Sequence, residues 1–508
     1  MTQRPNILFL MADQMAARVL PFMDLPAPTP VIVPRMQKLA DEGVVFTSAY
    51  CPSPLCAPSR FSLMAGQLPS RIGAYDNAAE FRADTPTMAH YLRLGGYQTI
   101  LSGKMHYIGA DQLHGFEERL TTDIYPAGFT WTPDWTDFAH RPTWYHSMDS
   151  VLNAGPTLRT NQLDFDEEVT YTTRRKLWDI ARDPEARPFF MCASLTHPHD
   201  PFAIHRKYWD LYEGVDIPGP RVPFDREAMD PHMARLRHVF NADNEPVTEE
   251  QILTARRAYF GAISFVDEQF GLILDTLAET GMAENTIVVI SGDHGEMLGE
   301  HGLWYKMSFR EDAARVPLLV HAPGRFAAGR VEANVSTLDL LPTFLEMAGL
   351  PAADAAPIDG LSLLPHLHGA KGHDEAIGEY MGEGVIAPMV MIRRGAMKFI
   401  HCPGDPDQLF DLAADPNELT NLAEAPAHAE LVVALRAEIA GRWDFPAITA
   451  DVLANQRRRR LVAAADAIGT LTHWDHNPPR DAGQDYIRAH MDLELLEAQA
   501  RFPRVRFD

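Results

Sequence analysis

Long hydrophobic runs are missing from this chain of 508 residues. No stretch approaches the roughly 18 consecutive apolar residues of a membrane helix, so no membrane partner is expected. Cysteine is scarce. Cys51, Cys56, Cys192 and Cys402 are too few to staple a chain of this length, which points away from a disulfide framework. Residues 1–6 lead into only six apolar residues, 7–12, before Asp13. A secretory leader has a longer apolar stretch and a small-residue cleavage site, so a cytoplasmic location is expected. Positive charge is in deficit too: 45 Lys+Arg against 69 Asp+Glu leave a net charge of −24. A duplex-binding surface wants the opposite sign, so no nucleic-acid partner is expected. An anion can still bind, provided its site is locally cationic.

What is present is ordinary globular material, 46% hydrophobic and 22% charged, enough for a large core. Short apolar runs at 7–12, 98–101, 189–195, 286–290 and 316–321 read as buried strands. Helical patterns lie between them at 34–42, 86–94, 166–181, 249–280 and 338–348. This alternation predicts an α/β fold with a large, mostly parallel sheet sandwiched by helices, in which ligands collect at the carboxyl ends of the strands. After about residue 369 the pattern changes to short strands at 389–393 and 397–401, a loop over 408–422 and a helix near 429–439. The expected division is a catalytic domain over 1–368, a small antiparallel-sheet-plus-helix subdomain over 369–450 and a helical tail over 451–508. The tail holds four consecutive arginines, Arg457 to Arg460, expected on a solvated or interface face, then 473–479 and a helix near 486–500.

The candidate chemistry sits just after strands. Asp13-Gln14 follows the first run and Asp293-His294 follows the fourth. Either pair alone reads as turn or cap residues; together they offer oxygen and imidazole ligands for one hard divalent cation. Cys56-Ala57-Pro58-Ser59-Arg60 places a cysteine just before a helix running through 60–65, whose N-terminus favours an anion. Arg60 lies one turn in and can point at the same anion. Composition alone would produce Cys-x-Pro-x-Arg in about 2% of such chains. Lys104-Met105-His106 follows the second run. Of only seven lysines, Lys104 and Lys306 both follow strand-end loops. Thr196-His197-Pro198-His199-Asp200-Pro201 is a proline-stiffened loop with two histidines.

These residues together resemble the sulfatase family, of the alkaline phosphatase superfamily, over nearly the whole chain. Cys56-Ala57-Pro58-Ser59-Arg60 matches that family's signature, and Asp13-Gln14, Lys104-x-His106, His199, Asp293-His294 and Lys306 follow in its order. Tyr75-Asp76-Asn77-Ala78, the strings 112–126 and 196–201, and the His490-Met491 tail look most like the choline sulfatases. The resemblance implies an alkaline-phosphatase-like fold. It also implies that a maturation enzyme converts Cys56 to formylglycine, and that Asp13, Gln14, Asp293, His294 and residue 56 bind one divalent cation. Gln14 stands where many members have Asp and His294 where many have Asn, so Mn²⁺ and Mg²⁺ stay open beside the expected Ca²⁺.

By the same resemblance, Arg60, Lys104, Lys306 and the cation neutralise the sulfate oxygens. A hydroxyl of hydrated formylglycine attacks sulfur with Asp293 accepting its proton, giving a covalent sulfo-enzyme. His199, or else His197, protonates the departing alcohol, and His106 takes the proton from the second hydroxyl as sulfate leaves. Aromatic residues crowd 125–145: Phe129, Trp131, Trp135, Trp144 and Tyr145. Asn77 is expected at the substrate, Trp131 and Glu383 as a cage for a quaternary ammonium, and Asp492 and Glu494 as a closure of the pocket, in the same or a neighbouring subunit of a homo-oligomer. The expected reaction is hydrolysis of a small sulfate ester, choline sulfate. Aryl sulfate or phosphonate/phosphate ester hydrolysis in the same superfamily, and a non-catalytic binder, are the competing readings.

Overall fold

The computed structural model describes residues 4–23, 29–351, 356–470 and 492–503. Strand β1 (Asn6–Ala12) is an apolar run buried along nearly its whole length, as the middle of a helix-covered sheet must be. With β2 (Val44–Tyr50), β3 (Gln98–Gly103), β4 (Phe189–Leu195), β5 (Thr286–Gly292) and β6 (Arg315–His321), it forms the body of a sheet with nine strands among the described residues. The order through the centre is β2-β6-β5-β1-β4-β3. β1 pairs in parallel with β4 and β5, and β3 in parallel with β4. β6 runs antiparallel to both β5 and β2, so the sheet is mixed. The chain between β5 and β6 folds into two short helical turns instead of a long crossover helix, and so re-enters from the edge it left.

Helix α1 (Pro34–Glu42) has proline at its first position, where no N–H is needed. α2 (Cys56–Ala65) begins at Cys56 itself, and the left-handed Gly66 ends it. α3 (Asn161–Arg182) starts five residues earlier than expected because Thr160 accepts from the Leu163 N–H. The helix expected at 86–94 begins instead at Met88, where Thr87 closes a capping box with His90. α4 (Glu249–Glu279) opens with the Thr248–Gln251 capping box and packs against α3.

The small sheet is antiparallel, in the order β7 (Glu375–Tyr380), β8 (Met389–Arg394), β9 (Met397–His401), β10 (Gln408–Asp411). It shares a separate core with α5 (Ala429–Arg442), built on Ile392, Phe399, Leu409 and Leu435. Strands β2, β7 and β10 escaped the sequence reading. The first has only three leading apolar residues, β7 carries two glutamates, and β10 opens the stretch expected as loop. The expected division at residue 450 falls inside α6 (Phe445–Asp466). Residues 473–479, 486–491 and the His490-Met491 pair lie outside the described residues, and α7 (Leu493–Ala500) forms the described part of the tail. The arginine run is not a uniformly solvated face: Arg459 is 5% exposed and paired with Asp76.

Candidate active site

Four neighbouring strands end level, and each delivers a functional side chain. Register pairs Ala12 with both Leu195 and Gly292, and Gly103 with Ser194. Asp13, Lys104, the 196–200 loop and Asp293 therefore emerge side by side above β1, β3, β4 and β5. α2 joins them from the side. Cys56 and Arg60 stand four residues apart and share a helix face, and Pro58 sits in the first turn, where its missing N–H costs nothing. No side chain on Leu55 caps α2; the Ala57 N–H donates to Asn77 Oδ1 at 3.0 Å. Asn77, expected at the substrate, thus directs its carbonyl oxygen at the helix.

Ligand atoms of Asp13, Cys56, Asp293 and His294 all lie within 4.8 Å of one another, fully buried. Cys56 Sγ is 3.1 Å from His294 Nε2, 3.8 Å from Asp13 Oδ1 and 4.0 Å from Lys104 Nζ. Burial opposes ionisation of Cys56, but Lys104, Lys306 and His294 outweigh it and hold the thiol well below its ordinary range. Burial also resists the charge on Asp13, yet Lys104 and Arg60 bring its carboxyl down to about 2. His294 Nδ1 donates to Gly295 O at 3.0 Å, which turns Nε2 toward the cluster. Two carboxylates and one imidazole with its ring nitrogen aimed inward suit a divalent cation.

Arg60 differs from expectation. Its Nε donates to Asp293 Oδ2 at 2.7 Å and Nη2 to Asp13 Oδ2 at 3.1 Å. Nη1 donates to Lys104 O and to Ser194 Oγ. The guanidinium therefore clamps the two carboxylates instead of facing an open anion position. Gln14, at positive φ, directs Nε2 at Glu296 and Asp200, while Oε1 accepts from Lys306 Nζ at 2.6 Å. A flipped amide would set its NH₂ against the Lys306 ammonium, which can only donate, so Lys306 fixes this orientation.

Lys306 Nζ also donates to His199 Nε2 at 2.8 Å, and His199 Nδ1 donates to Asp200 O at 2.6 Å. His197 turns away: its Nδ1 is 2.7 Å from Asp166 Oδ2, and its ring stands on Phe265. Of the two loop histidines, His199 faces the cluster. His146, His199 and Asp200 form a second group of ligand type, but the Lys306 ammonium on His199 opposes a cation there. His106 is buried, and burial lowers its basicity against the opposing pull of Cys56. Its ring meets Tyr125 at 5.2 Å and Trp131 at 5.8 Å between centroids.

Glu383, in the turn after β7, is buried beside Tyr380, whose hydroxyl donates to the Glu383 carbonyl at 2.7 Å. Trp135 Nε1 donates to the neighbouring Gly382 carbonyl, while Trp144 and Tyr145 pack edge to face. Asp492 caps α7, and Phe502 of this segment meets Trp178 on α3. Trp178 is twelve residues beyond Asp166, so Phe502 meets α3 about 18 Å along the helix from Asp166. The sequence reading missed Tyr125, Asp123, Asp166, Ser194 and Glu296. Asp123 accepts the Met105 and His106 N–H groups, and Asp166 does the same for Thr196 and His197. Asp123 lies inside the 112–126 string but was given no role there, Asp166 lies outside every motif, and Glu296 stands three residues beyond Asp293.

Comparison with known proteins agrees with this geometry. The family model described as Sulfatase matches residues 5–350, "Choline sulfatase enzyme C terminal" matches 450–502, and "N-sulphoglucosamine sulphohydrolase, C-terminal" matches 299–443. The chain is 46% identical to a Choline-sulfatase of Rhizobium meliloti (strain 1021), covering 99% of each sequence. It is 28% identical to Arylsulfatase K of Gallus gallus, covering 92% of this chain and 88% of that one. In structure it is similar to the phosphonate monoester hydrolase of Agrobacterium radiobacter, with a TM-score of 0.70 at 24% identity, covering 86% of this chain and 95% of that one. That last likeness establishes the alkaline-phosphatase-like fold alone. With its strand-end cluster and a match across two thirds of its length, the chain belongs to the sulfatase family and is a sulfuric ester hydrolase.

Proposed function

We propose that this enzyme hydrolyses choline sulfate to choline and sulfate. The observation that carries the choice of alcohol is an aromatic wall beside the leaving-group histidine. Tyr125 touches His106 and His199, its hydroxyl 3.2 Å from His199 Nδ1, and Trp131 stands against both Tyr125 and His106. An alcohol departing toward His199 thus passes Trp131 and the face of Tyr125 left open by Lys104, whose Nζ stands 4.0 Å from that ring, and such faces attract a quaternary ammonium. The buried Glu383 supplies the countercharge, and the 46% identity to a Choline-sulfatase supports the same reading.

In this reading Lys104 and Lys306 hold the sulfate oxygens and oppose the charge that develops in the transition state. Asp13, Gln14, Asp293 and His294, with residue 56, hold one divalent cation, calcium first and Mn²⁺ or Mg²⁺ as alternatives. When present, that cation and the formylglycine made from Cys56 supply an acidified hydroxyl for attack on sulfur. Asp293 receives the proton of that hydroxyl. His199, its Nδ1–H held on the Asp200 carbonyl, takes a proton at Nε2 from the Lys306 ammonium and passes it to the departing alcohol, and His106 accepts the second proton. Arg60 holds Asp13 and Asp293 in place.

Among the described residues no helix is long and apolar enough to cross a membrane. All four cysteines are free and buried, which supports a reducing, cytoplasmic setting, where a formylglycine-generating enzyme is the required partner. Exposed Leu461, Val462 and Ile468 near the end of α6 support a homo-oligomer. In it, Asp492 and Glu494 are available to a neighbouring subunit.

The test is sulfate release from choline sulfate beside an aryl sulfate, with a phosphonate ester as third arm. Choline sulfate is expected to give the highest kcat/KM. A preference for the aryl sulfate or the phosphonate ester would overturn the assignment. Mass spectrometry of the peptide spanning Cys56 should find the aldehyde in active enzyme; a thiol alone would refute the nucleophile.

A further inference from the structure

We infer that Arg459, on the C-terminal helix α6, is a positioning residue for substrate selection: one guanidinium ties together the turn that caps the Cys56 helix and the segment that carries Trp131. Nη1 and Nη2 donate to the two carboxylate oxygens of Asp76, both at 2.7 Å, and Nη1 also donates to Thr132 Oγ1 at 3.1 Å. Nε donates to Asn455 Oδ1, one turn back on the same helix, which fixes the rotamer. Asp76 precedes Asn77, whose side chain caps α2 through Ala57. Thr132 follows Trp131.

The rest of the same helix face reinforces this arrangement. Tyr75 donates its hydroxyl to Asp451, the Trp135 N–H donates to Gln456 Oε1, and Arg460 pairs with Asp134. Residues 451, 455 and 459 repeat every fourth position, with 456 and 460 beside them, so they form one stripe along α6. That stripe holds both segments, 75–76 and 132–135. Trp131 meets His106 and Tyr125 through ring edges, which set its distance from the site but not the path of the chain beyond it. α6 sets that path. A planar bidentate fork is suited to the task because it fixes the orientation of Asp76 as well as its distance. Arg459 also neutralises a buried carboxylate close enough to Glu383 to raise the Glu383 carboxyl, so that a cation meets one free countercharge and not two.

The inference rests on the reading of Trp131 as part of the substrate cage. Its test uses the full-length enzyme in the forms Arg459→Met, Arg459→Lys, Asp76→Asn/Arg459→Met and Trp131→Ala, with Arg457→Gln on the exposed side of α6 as control. KM and kcat for choline sulfate and an aryl sulfate are measured per folded, formylglycine-bearing site, beside the melting temperature. Arg459→Met should raise the KM for choline sulfate at least about tenfold, roughly the worth of one charge-assisted contact, and affect the aryl sulfate several-fold less. Arg459→Lys, which keeps the charge and loses the fork, should fall between. The double variant, with no buried charge left unpaired, should recover melting temperature but not KM. Arg457→Gln should match the parent. If Trp131→Ala raises the KM while Arg459→Met alters only the melting temperature, Arg459 is structural and the inference fails. If Trp131→Ala leaves the KM unchanged, the cage reading falls and the inference with it.

Discussion

At Glu383, burial pushes the carboxyl up to about 7, with the Asp76 charge adding to the rise and Lys306 opposing it. Between the ordinary 4.5 and about 7 the native protein therefore binds more protons than the unfolded chain, and stability falls as pH rises through that window. A bound quaternary ammonium favours the ionised carboxylate. The KM for choline sulfate should thus fall as pH rises through about 7, while that for an aryl sulfate stays level. Glu383→Gln should flatten the profile and lessen the loss of melting temperature on the alkaline side; an unchanged profile would remove Glu383 from the cage. Glu296 acts on the cation site in a different way. It accepts from Gln14 Nε2 and is itself held by the N–H groups of Leu298 and Tyr305. Glu296→Leu frees the Gln14 amide to turn, and calorimetric titration should show divalent-cation affinity about tenfold weaker or more. Affinity equal to the parent would mean that Gln14 is oriented by Asp200 and Lys306 alone.

The strand ends and the α2 N-terminus are where elements become chemistry. β1, β3, β4 and β5 are adjacent, so residues far apart in sequence arrive on one edge without long reaching side chains. Helix α2 points its N-terminus at the same place, and its dipole adds positive potential around Cys56. Its cap is remote: Asn77 supplies the acceptor that a local serine or aspartate would normally give. Asn77→Ala should cost about 1–2 kcal/mol, a lost cap plus a buried N–H left unsatisfied. Thermal or denaturant unfolding measures this, and kcat should drop for choline sulfate and aryl sulfate alike because the helix carries Cys56, the proposed nucleophile. A loss confined to KM would place Asn77 on the substrate instead. Much of this level was legible from the chain. The apolar runs ending in Asp13, Lys104, Thr196 and Asp293 marked the strand ends, whereas β2 and β7 escaped because their apolar patterns are short and broken.

Over the whole molecule, the small sheet is joined to the segment between β5 and β6 of the large sheet by buried charge. Lys398 on β9 is fully buried, pairs with Glu311 and Glu418, and donates to the Phe309 carbonyl at 2.7 Å. Burial opposes ionisation of Glu311, but Lys398 and two arginines bring its carboxyl down to about 2. Lys398→Met leaves the buried Glu418 without its cation and Glu311 with only the more distant arginines. It should cost about 3–5 kcal/mol, visible as a lowered melting temperature and as faster proteolysis after residue 369. Unfolding at the parental temperature would show that the apolar contacts alone hold the subdomain.

The sequence by itself determined the family, the order of the strands' chemistry and the identity of the residues around Cys56. Those depend on short motifs and on apolar runs, which are local. Arg60 was legible as a member of the site but not as a clamp, because whether a guanidinium faces an anion or two carboxylates depends on how β1 and β5 are spaced. The choice of His199 over His197 was likewise tertiary: Asp166 on α3 takes one histidine and leaves the other facing Lys306. Arg459 was indistinguishable from its three neighbours in the run, since only the packing of α6 onto Asp76 buries one arginine of the four. Local order can be read along the chain, but burial and charge pairing are decided by what the fold brings alongside.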